Sequence, residues 1–197
     1  IPATRNTGYR YSLNVNLRDP YIKRALYLVF PVLLGSSVQQ LNVIIDKTLA
    51  SDLVEGSISA LSYASRINDL IISVFIAAIT TVVFPMLSEA SSRNDVKGTV
   101  KILNQGVSII LLITVPASIG ILILGHPLVQ VFFERGAFSA DASIMTSGAL
   151  IYYSIGLVAI ALRSMLNKVF YSLQDTKTPM INGVIGVLLN VILNLML

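Results

Sequence analysis

A few polar side chains interrupt long apolar stretches of this sequence, and their types suit the binding of ions. Gln39, Asn42 and Asp46 are spaced so that they share one face of a helix. If that face met lipid, its amides and carboxylate would be unsatisfied, so the stripe is expected to face other helices or water. The alternative is that Asp46 and the adjoining Lys47 only mark the boundary of the apolar stretch.

A second polar group surrounds Arg66, which has Tyr63 three residues before it and Asp69 three residues after it. All three fall on one helix face. Inside a bilayer an unpaired arginine costs about 3 kcal/mol on insertion scales, and Asp69 is the expected partner. A guanidinium on the wall of a water-filled cavity would suit bidentate capture of a phosphate. If the membrane begins only near Leu70, both charges are interfacial instead.

Two asparagines near the end of the sequence, Asn190 and Asn194, are one helical turn apart in an aliphatic run. Hydrogen bonding between helices is the usual role of such residues in membranes. The other interpretation is oxygen ligation of a cation, with Asp46 supplying the negative charge. The sequence leaves both open.

Residue types that serve catalysis are scarce. The chain has no cysteine and one histidine. That residue, His126, precedes Pro127 in a stretch that we interpret as a connection between helices, without a cluster of metal ligands around it. Paired carboxylates, a glycine-rich phosphate loop and a nucleophile motif are also absent from the sequence, which argues against an enzyme and predicts no cofactor other than the cation considered above.

The elements that must position these residues are membrane-spanning helices. Hydrophobic residues make up 54% of the chain and charged residues only 12%. Five uncharged stretches are each about as long as a helix needs to cross the hydrocarbon core. We predict an all-α bundle with helices at 23–50, 57–88, 99–124, 142–173 and 178–197, after a cytoplasmic or interfacial linker at 1–22. Phe132, Phe133 and Phe138 fall in the long connection at 125–141 and are expected at the membrane interface.

Basic residues concentrate in alternate connections of this predicted bundle. The positive-inside rule places the richer side in the cytoplasm, and the first residues of the chain with it. The net charge of +4 therefore reflects membrane topology rather than nucleic-acid binding. The other side carries a single arginine, Arg135. The richer side carries Arg5, Arg10, Arg18, Lys23, Arg24, Arg93, Lys97, Lys101, Arg163, Lys168 and Lys177.

Longer stretches resemble a known family. They are FPVLLGSSVQQLNVIIDKTLAS (30–51), GSISALSYASRINDLIISVFIAAITTVVFPMLS (56–88), VPASIGILILGHPLVQVFFERGAF (115–138) and LRSMLNKVFYSLQDTKTPM (162–180). Together they are similar to the MviN/MurJ family of lipid II flippases, and the resemblance covers nearly the whole chain. Members of that family have fourteen helices in two lobes, and this chain resembles the seventh to eleventh, part of the second lobe.

The resemblance implies transport of an undecaprenyl pyrophosphate-linked peptidoglycan precursor across the bacterial inner membrane by alternating access. It implies that Arg66 contacts the lipid pyrophosphate, and the polar pattern adds Asp69, Gln39 and Asn42 as candidate substrate-binding residues. It also implies that Asp46, with Asn190 and Asn194, contributes to a sodium site, although family members carry an acid where Asn194 stands. The expected partners are the lipid-linked oligosaccharide, membrane lipids and the first lobe of the same protein.

Other functions share parts of this pattern. Polysaccharide exporters and cation-coupled drug exporters of the same architecture would differ in substrate, and a membrane enzyme or passive scaffold for undecaprenyl lipids would not transport at all. The chain opens on Ile1 and ends inside an uncharged stretch. We therefore expect a piece of a longer protein, which would not transport the lipid alone.

Overall fold

The computed structural model describes residues 19–136 and 138–196, and the regular structure in these ranges is helical. Helices α1 to α6 are Pro20–Ala50, Ser57–Ile71, Ala77–Ser92, Val96–Phe133, Ala140–Ser172 and Lys177–Met196. A π-helical turn, Ile72–Ile76, joins α2 to α3, so these two helices form one rod. The described ranges thus hold five rods long and apolar enough to cross a membrane. This confirms the predicted all-α membrane fold, while Arg5, Arg10, Arg18 and most of the predicted linker lie outside the described residues.

Capping residues explain where three of the helices begin. The Asp19 carboxylate accepts a hydrogen bond from the backbone N–H of Tyr21 at 2.8 Å, just before Pro20 starts α1. Asp95 accepts one from Gly98 at 2.9 Å at the start of α4. Ser139 does the same for α5. Each cap satisfies a backbone N–H that has no partner within its own helix.

The start of α6 is fixed by Asp175. One oxygen of its carboxylate accepts the backbone N–H groups of Lys177 and Thr178 at 3.1 and 3.0 Å. The other accepts the Thr178 hydroxyl at 2.6 Å. The hydroxyl of Thr178, and then its N–H, hold the pKa of the Asp175 carboxyl below its ordinary value, because both donors favour the charged form.

Helix α4 continues beyond its predicted end at 124 and ends at Phe133, which shortens the predicted connection at 125–141 to residues 134–139. His126 and Pro127 lie inside this helix rather than in a loop. The prediction was wrong because a Gly-His-Pro sequence usually breaks a helix in water, whereas packing against neighbouring helices tolerates proline in a membrane helix. Gly125 is buried against Leu150 and Ile151 of α5, and Val129 is fully buried.

Helices α2 to α5 form one bundle. Helix α4 packs along α5, α2 lies on α5, and α3 lies on both α4 and α5. Two apolar clusters fill the bundle. One is centred on Ile67, Leu150 and Leu157, and the other on Ile110 and Met165.

Helices α1 and α6 form a separate pair that touches the α2–α5 bundle only at a few places. Tyr27 near the start of α1 meets Lys177 at the start of α6, and Asp46 near the end of α1 meets Asn194 near the end of α6. The two helices therefore run parallel. Only Pro31 and Ala50 of α1, and Pro179 of α6, are buried among the described residues.

Successive rods run in opposite directions, so the starts of α1, α4 and α6 and the ends of α3 and α5 lie at the same end of the molecule. We call this the basic end of the molecule. A hydrogen bond from Arg24 to the Gln174 amide oxygen joins the start of α1 to the α5–α6 connection there. The basic side chains at this end include Arg24, Arg93, Lys97, Lys101, Lys168 and Lys177.

Candidate functional site

The predicted cation ligands come together between α1 and α6, near the end opposite the basic one. The Nδ2 of Asn194 donates to an Asp46 carboxylate oxygen at 2.9 Å and to the Asn190 amide oxygen, also at 2.9 Å. The Nδ2 of Asn42 donates to the second Asp46 oxygen at 3.0 Å. We call these four residues, Asn42, Asp46, Asn190 and Asn194, the Asp46 cluster.

Helical spacing and parallel packing explain how the Asp46 cluster forms. Asn42 and Asp46 are one turn apart on α1, and Asn190 and Asn194 are one turn apart on α6, so each pair presents one face. Because α1 and α6 run parallel, with the start of α6 level with Tyr27 of α1, the two faces meet at the same level. The polar stripe predicted on α1 therefore faces another helix, at least at Asn42 and Asp46.

The chemistry of the Asp46 cluster suits a cation with a single positive charge. It offers one carboxylate and three amide oxygens, and hard cations prefer such oxygen ligands. The described residues contain no group of three or more acidic, histidine or cysteine side chains that could hold a metal ion. In the observed arrangement N–H donors face the carboxylate, so a cation would bind after the Asn194 amide rotates to turn its oxygen inward.

Asn42 contributes an unsatisfied acceptor to this cluster. Its Oδ1 is buried and accepts no hydrogen bond from the residues that the structure describes. Rotating this amide would not help, since its oxygen would then face the Asp46 carboxylate. A buried acceptor without a partner is unfavourable by about 1–3 kcal/mol, so a cation or water bound beside Asn42 would be stabilised.

Arg66 stands apart from the Asp46 cluster, on α2. Its side chain is exposed, and its guanidinium carbon lies 5.6 Å from the ring centre of Tyr63. The expected ion pair with Asp69 is not formed: among residues 19–136 and 138–196 the one ion pair within 4 Å joins Arg93 to Glu89. A spacing of three residues puts both side chains on one helix face, but both are exposed and form no ion pair within 4 Å.

Arg66 and Asp69 line the same open groove, whose volume is about 410 Å³. The groove is also lined by Ile67, Leu70, Ser73 of the π-helical turn, and Phe132 and Phe133 of α4. The groove thus sets a cationic group beside apolar and aromatic surface. This arrangement can hold the phosphate of an amphiphilic molecule while its apolar part contacts the phenylalanines.

Aromatic side chains brace this part of α2. The Tyr63 ring centre lies 4.8 Å from that of Phe133 and 5.2 Å from that of Phe138. Phe133 and Phe138 also pack on the core around Leu150. Sequence reasoning assigned Phe132, Phe133 and Phe138 to membrane anchoring. It missed that Phe133 and Phe138 pack against Tyr63, whose ring lies beside the Arg66 guanidinium. The spacing of Tyr63 and Arg66 was the available signal.

The remaining predicted substrate residue, Gln39, lies elsewhere. Its amide oxygen accepts a hydrogen bond of 3.2 Å from Nη2 of Arg163 on α5. The predicted substrate set is therefore distributed over three places: Arg66 and Asp69 on the groove, Asn42 in the Asp46 cluster, and Gln39 at a contact between α1 and α5. Sequence reasoning counted Arg163 only as a connection charge, although it lies nine residues before the end of α5.

Comparison with known proteins gives consistent relatives. The family model described as lipid II flippase MurJ matches residues 1–197. The probable lipid II flippase MurJ of Rickettsia prowazekii is 36% identical over 195 residues, which cover 99% of this chain and 38% of that protein. The corresponding Rhizobium meliloti protein is 34% identical, with 99% of this chain and 36% of that protein covered.

A solved structure agrees with these sequence matches. The lipid II flippase MurJ in an inward closed conformation superimposes with a TM-score of 0.76 and 33% sequence identity, covering 95% of this chain and 39% of that one. The chain therefore spans less than two-fifths of the length of these relatives.

Proposed function

Because this chain belongs to the MurJ family of lipid II flippases, we propose that it is the part of a flippase that contributes Arg66 to the substrate cavity and Asp46 to a coupling-ion site. The whole protein would move the lipid-linked peptidoglycan precursor across the bacterial inner membrane by alternating access. Family membership favours this activity over a polysaccharide or drug exporter and over an enzyme or scaffold.

The observation that carries the proposal is the state of Arg66. It forms no ion pair with another described residue, it is exposed on a groove of about 410 Å³, and Phe132 and Phe133 also line that groove. In a membrane such an arginine needs an anionic partner or water. A lipid pyrophosphate supplies that anion, and its isoprenoid chain would lie along the apolar wall.

Substitution of Arg66 tests this role in the whole protein. We expect Arg66→Ala to abolish flipping of the lipid precursor, measured as exposure of the precursor at the outer surface, while insertion and accumulation stay normal. Arg66→Lys should recover part of the activity because it keeps the charge but not the bidentate geometry. Arg93→Gln removes an exposed arginine at the basic end and serves as the control. Normal complementation by Arg66→Ala would defeat the assignment.

We propose sodium as the coupling ion at the Asp46 cluster. The support is one carboxylate with three amides on two helices, and the buried, unsatisfied oxygen of Asn42. Sodium binding would turn the donors away and tie α1 to α6 through oxygen ligands. Flipping rates of proteoliposomes in sodium and in choline buffers test this directly, and transport by the parent protein that is equal in both buffers would contradict it.

We also propose that the basic end faces the cytoplasm, on the strength of the loop charges. The chain has no cysteine, so single cysteines report its topology. A membrane-impermeant maleimide added to whole cells should label Asp52→Cys and leave Asn94→Cys unlabelled. The reverse pattern would invert the orientation without affecting the family.

A further inference from the structure

A small polar cleft lies between α1, α5 and α6 toward the basic end. Its volume is about 130 Å³, which corresponds to about four water molecules. Arg66 is 9 residues into α2 and Arg163 is 23 residues into α5, and these helices run in the same direction, so the cleft is separated from the Arg66 groove by roughly 20 Å along the bundle at 1.5 Å per residue. It is far too small for a sugar but large enough for one compact polar group.

Three donors line the α5 wall of this cleft. Arg163, Asn167 and Tyr171 follow one another at intervals of one turn and so share one face of α5. The guanidinium of Arg163 has five N–H donors, and one nitrogen contacts Gln39 of α1. The amide of Asn167 and the hydroxyl of Tyr171 form no side-chain hydrogen bond to another residue of the described ranges.

The charge of Arg163 is not offset by a nearby acid. No carboxylate of the described chain lies within 4 Å of it. The acid of the adjoining connection, Asp175, has its oxygens occupied by the backbone and hydroxyl donors that start α6. Arg24 also lies at this connection, bonded to the neutral amide of Gln174. The electrostatic potential around the cleft is therefore positive.

We propose that this cleft is a second oxyanion site, which takes a phosphate group through the guanidinium of Arg163 and the side-chain donors of Asn167 and Tyr171. A tetrahedral phosphate has acceptors for several donors at once, and arginine binds it with two parallel hydrogen bonds. The phosphate displaces the Gln39 amide as the acceptor for Arg163.

The site joins the two packing units of the molecule. Its α5 wall belongs to the α2–α5 bundle, while Gln39, Ser36 and Met180 belong to the α1/α6 pair. A bound phosphate would therefore fix the position of the pair against the bundle. The walls also include Val32 and Pro179, so the phosphate can belong to a lipid headgroup or be free in solution, and the experiment separates these sources.

The test uses the whole protein with Arg66→Gln in every variant, which removes the first oxyanion site. Ser36→Cys places a small thiol in the cleft, and its rate of reaction with a maleimide reports occupancy. One arm adds inorganic phosphate to protein in a maltoside detergent, which contains no phosphate. The other adds phosphatidylglycerol to the same detergent and no inorganic phosphate. We expect saturable protection of the thiol in at least one arm, and the arm that responds identifies the source.

The variants decide whether Arg163 binds the anion. Arg163→Gln should weaken the protection on the order of tenfold to a hundredfold, as expected for losing hydrogen bonds to a charged group. Lys101→Gln removes an equal charge from the basic end outside the cleft and should change nothing. If Arg163→Gln does not accumulate, Asn167→Leu and Tyr171→Phe replace it, with a smaller expected loss.

Three results would overturn the proposal: no protection in either arm, protection that survives Arg163→Gln, or an equal loss in Lys101→Gln. The first two would leave Arg163 as a contact between helices only. None of them bears on Arg66, because its own test uses flipping of the lipid precursor in the protein with Arg163 intact.

Discussion

The α2–α5 bundle and the α1/α6 pair are held together in different ways. In the bundle, apolar side chains such as Leu150, Leu157 and Met165 have no exposed surface. In the pair, most of the described side chains are exposed, and α1 and α6 meet through polar groups of the Asp46 cluster and through Lys177 on Tyr27. Close packing resists small displacements, whereas hydrogen bonds among half-buried and exposed polar side chains can exchange partners.

This difference predicts that the α1/α6 pair shifts more easily than the bundle. The candidate ion site lies inside the pair, and the proposed phosphate cleft lies between the pair and the bundle. A ligand bound at either place can change the relative position of the helices without disturbing a packed core. The Arg66 groove, in contrast, is built on the bundle, where aromatic packing keeps α2 in place.

The largest effect is expected from shortening a core side chain of the bundle. Leu157→Ala should lower the free energy of unfolding by about 2–5 kcal/mol, because it leaves a cavity in a fully buried position. Leu189→Ala in α6, where the side chain is 55% exposed, should change it by less than about 0.5 kcal/mol. Denaturant unfolding of the whole protein in detergent measures both. Equal losses would show that α6 is covered as tightly as the bundle core.

Removing the acid of the Asp46 cluster should loosen the pair and leave the bundle intact. Asp46→Ala deprives Asn42 and Asn194 of their charged acceptor, and we expect a loss of about 1–2 kcal/mol in the free energy of unfolding. Any stimulation of flipping by sodium should disappear as well. Hydrogen exchange should quicken in α6 and not in α4. Asp52→Asn, in the α1–α2 connection, is the matched control.

A smaller effect is expected at a hydrogen bond inside the bundle. The Ser118 hydroxyl of α4 donates to the backbone oxygen of Ser154 on α5 at 2.6 Å. Ser118→Ala should reduce the free energy of unfolding by about 0.6 kcal/mol, the average for such contacts between membrane helices. Ser37→Ala removes a hydroxyl that bonds only within α1 and should change stability less. A loss above 2 kcal/mol would mean that polar contacts, and not packing, hold the bundle.

The smallest effect is a pH dependence at the start of α6. The pKa of Asp175 is lower in the folded chain than its ordinary value because Thr178 donates to the charged form. Its stabilisation is therefore present above the ordinary pKa of about 4 and is lost as the pH falls through the lowered one. Stability measured from pH 6 to pH 3 should decline less steeply in Asp175→Asn than in the unsubstituted protein. Identical slopes would contradict this.

Most of the fold could be predicted from the sequence, and so could part of the site. The five spans follow from uncharged stretches whose length matches a membrane. Asn42, Asp46, Asn190 and Asn194 could be paired because helical spacing puts each pair on one face, although their role as ligands stays a prediction. The end of α4 could not be predicted, because whether a Gly-His-Pro sequence breaks a helix depends on the neighbours that pack against it.

The sequence by itself determined that the chain is a multi-pass helical membrane protein, which polar residues are exceptional, and which family it resembles, because these properties depend on composition, period and motif. Tertiary structure alone decided that α1 pairs in parallel with α6, although α2 to α5 lie between them in sequence. It also decided that Gln39 meets Arg163 and that Arg66 stays unpaired beside Asp69. Contacts between helices distant in sequence depend on shape and packing, and no local pattern encodes them.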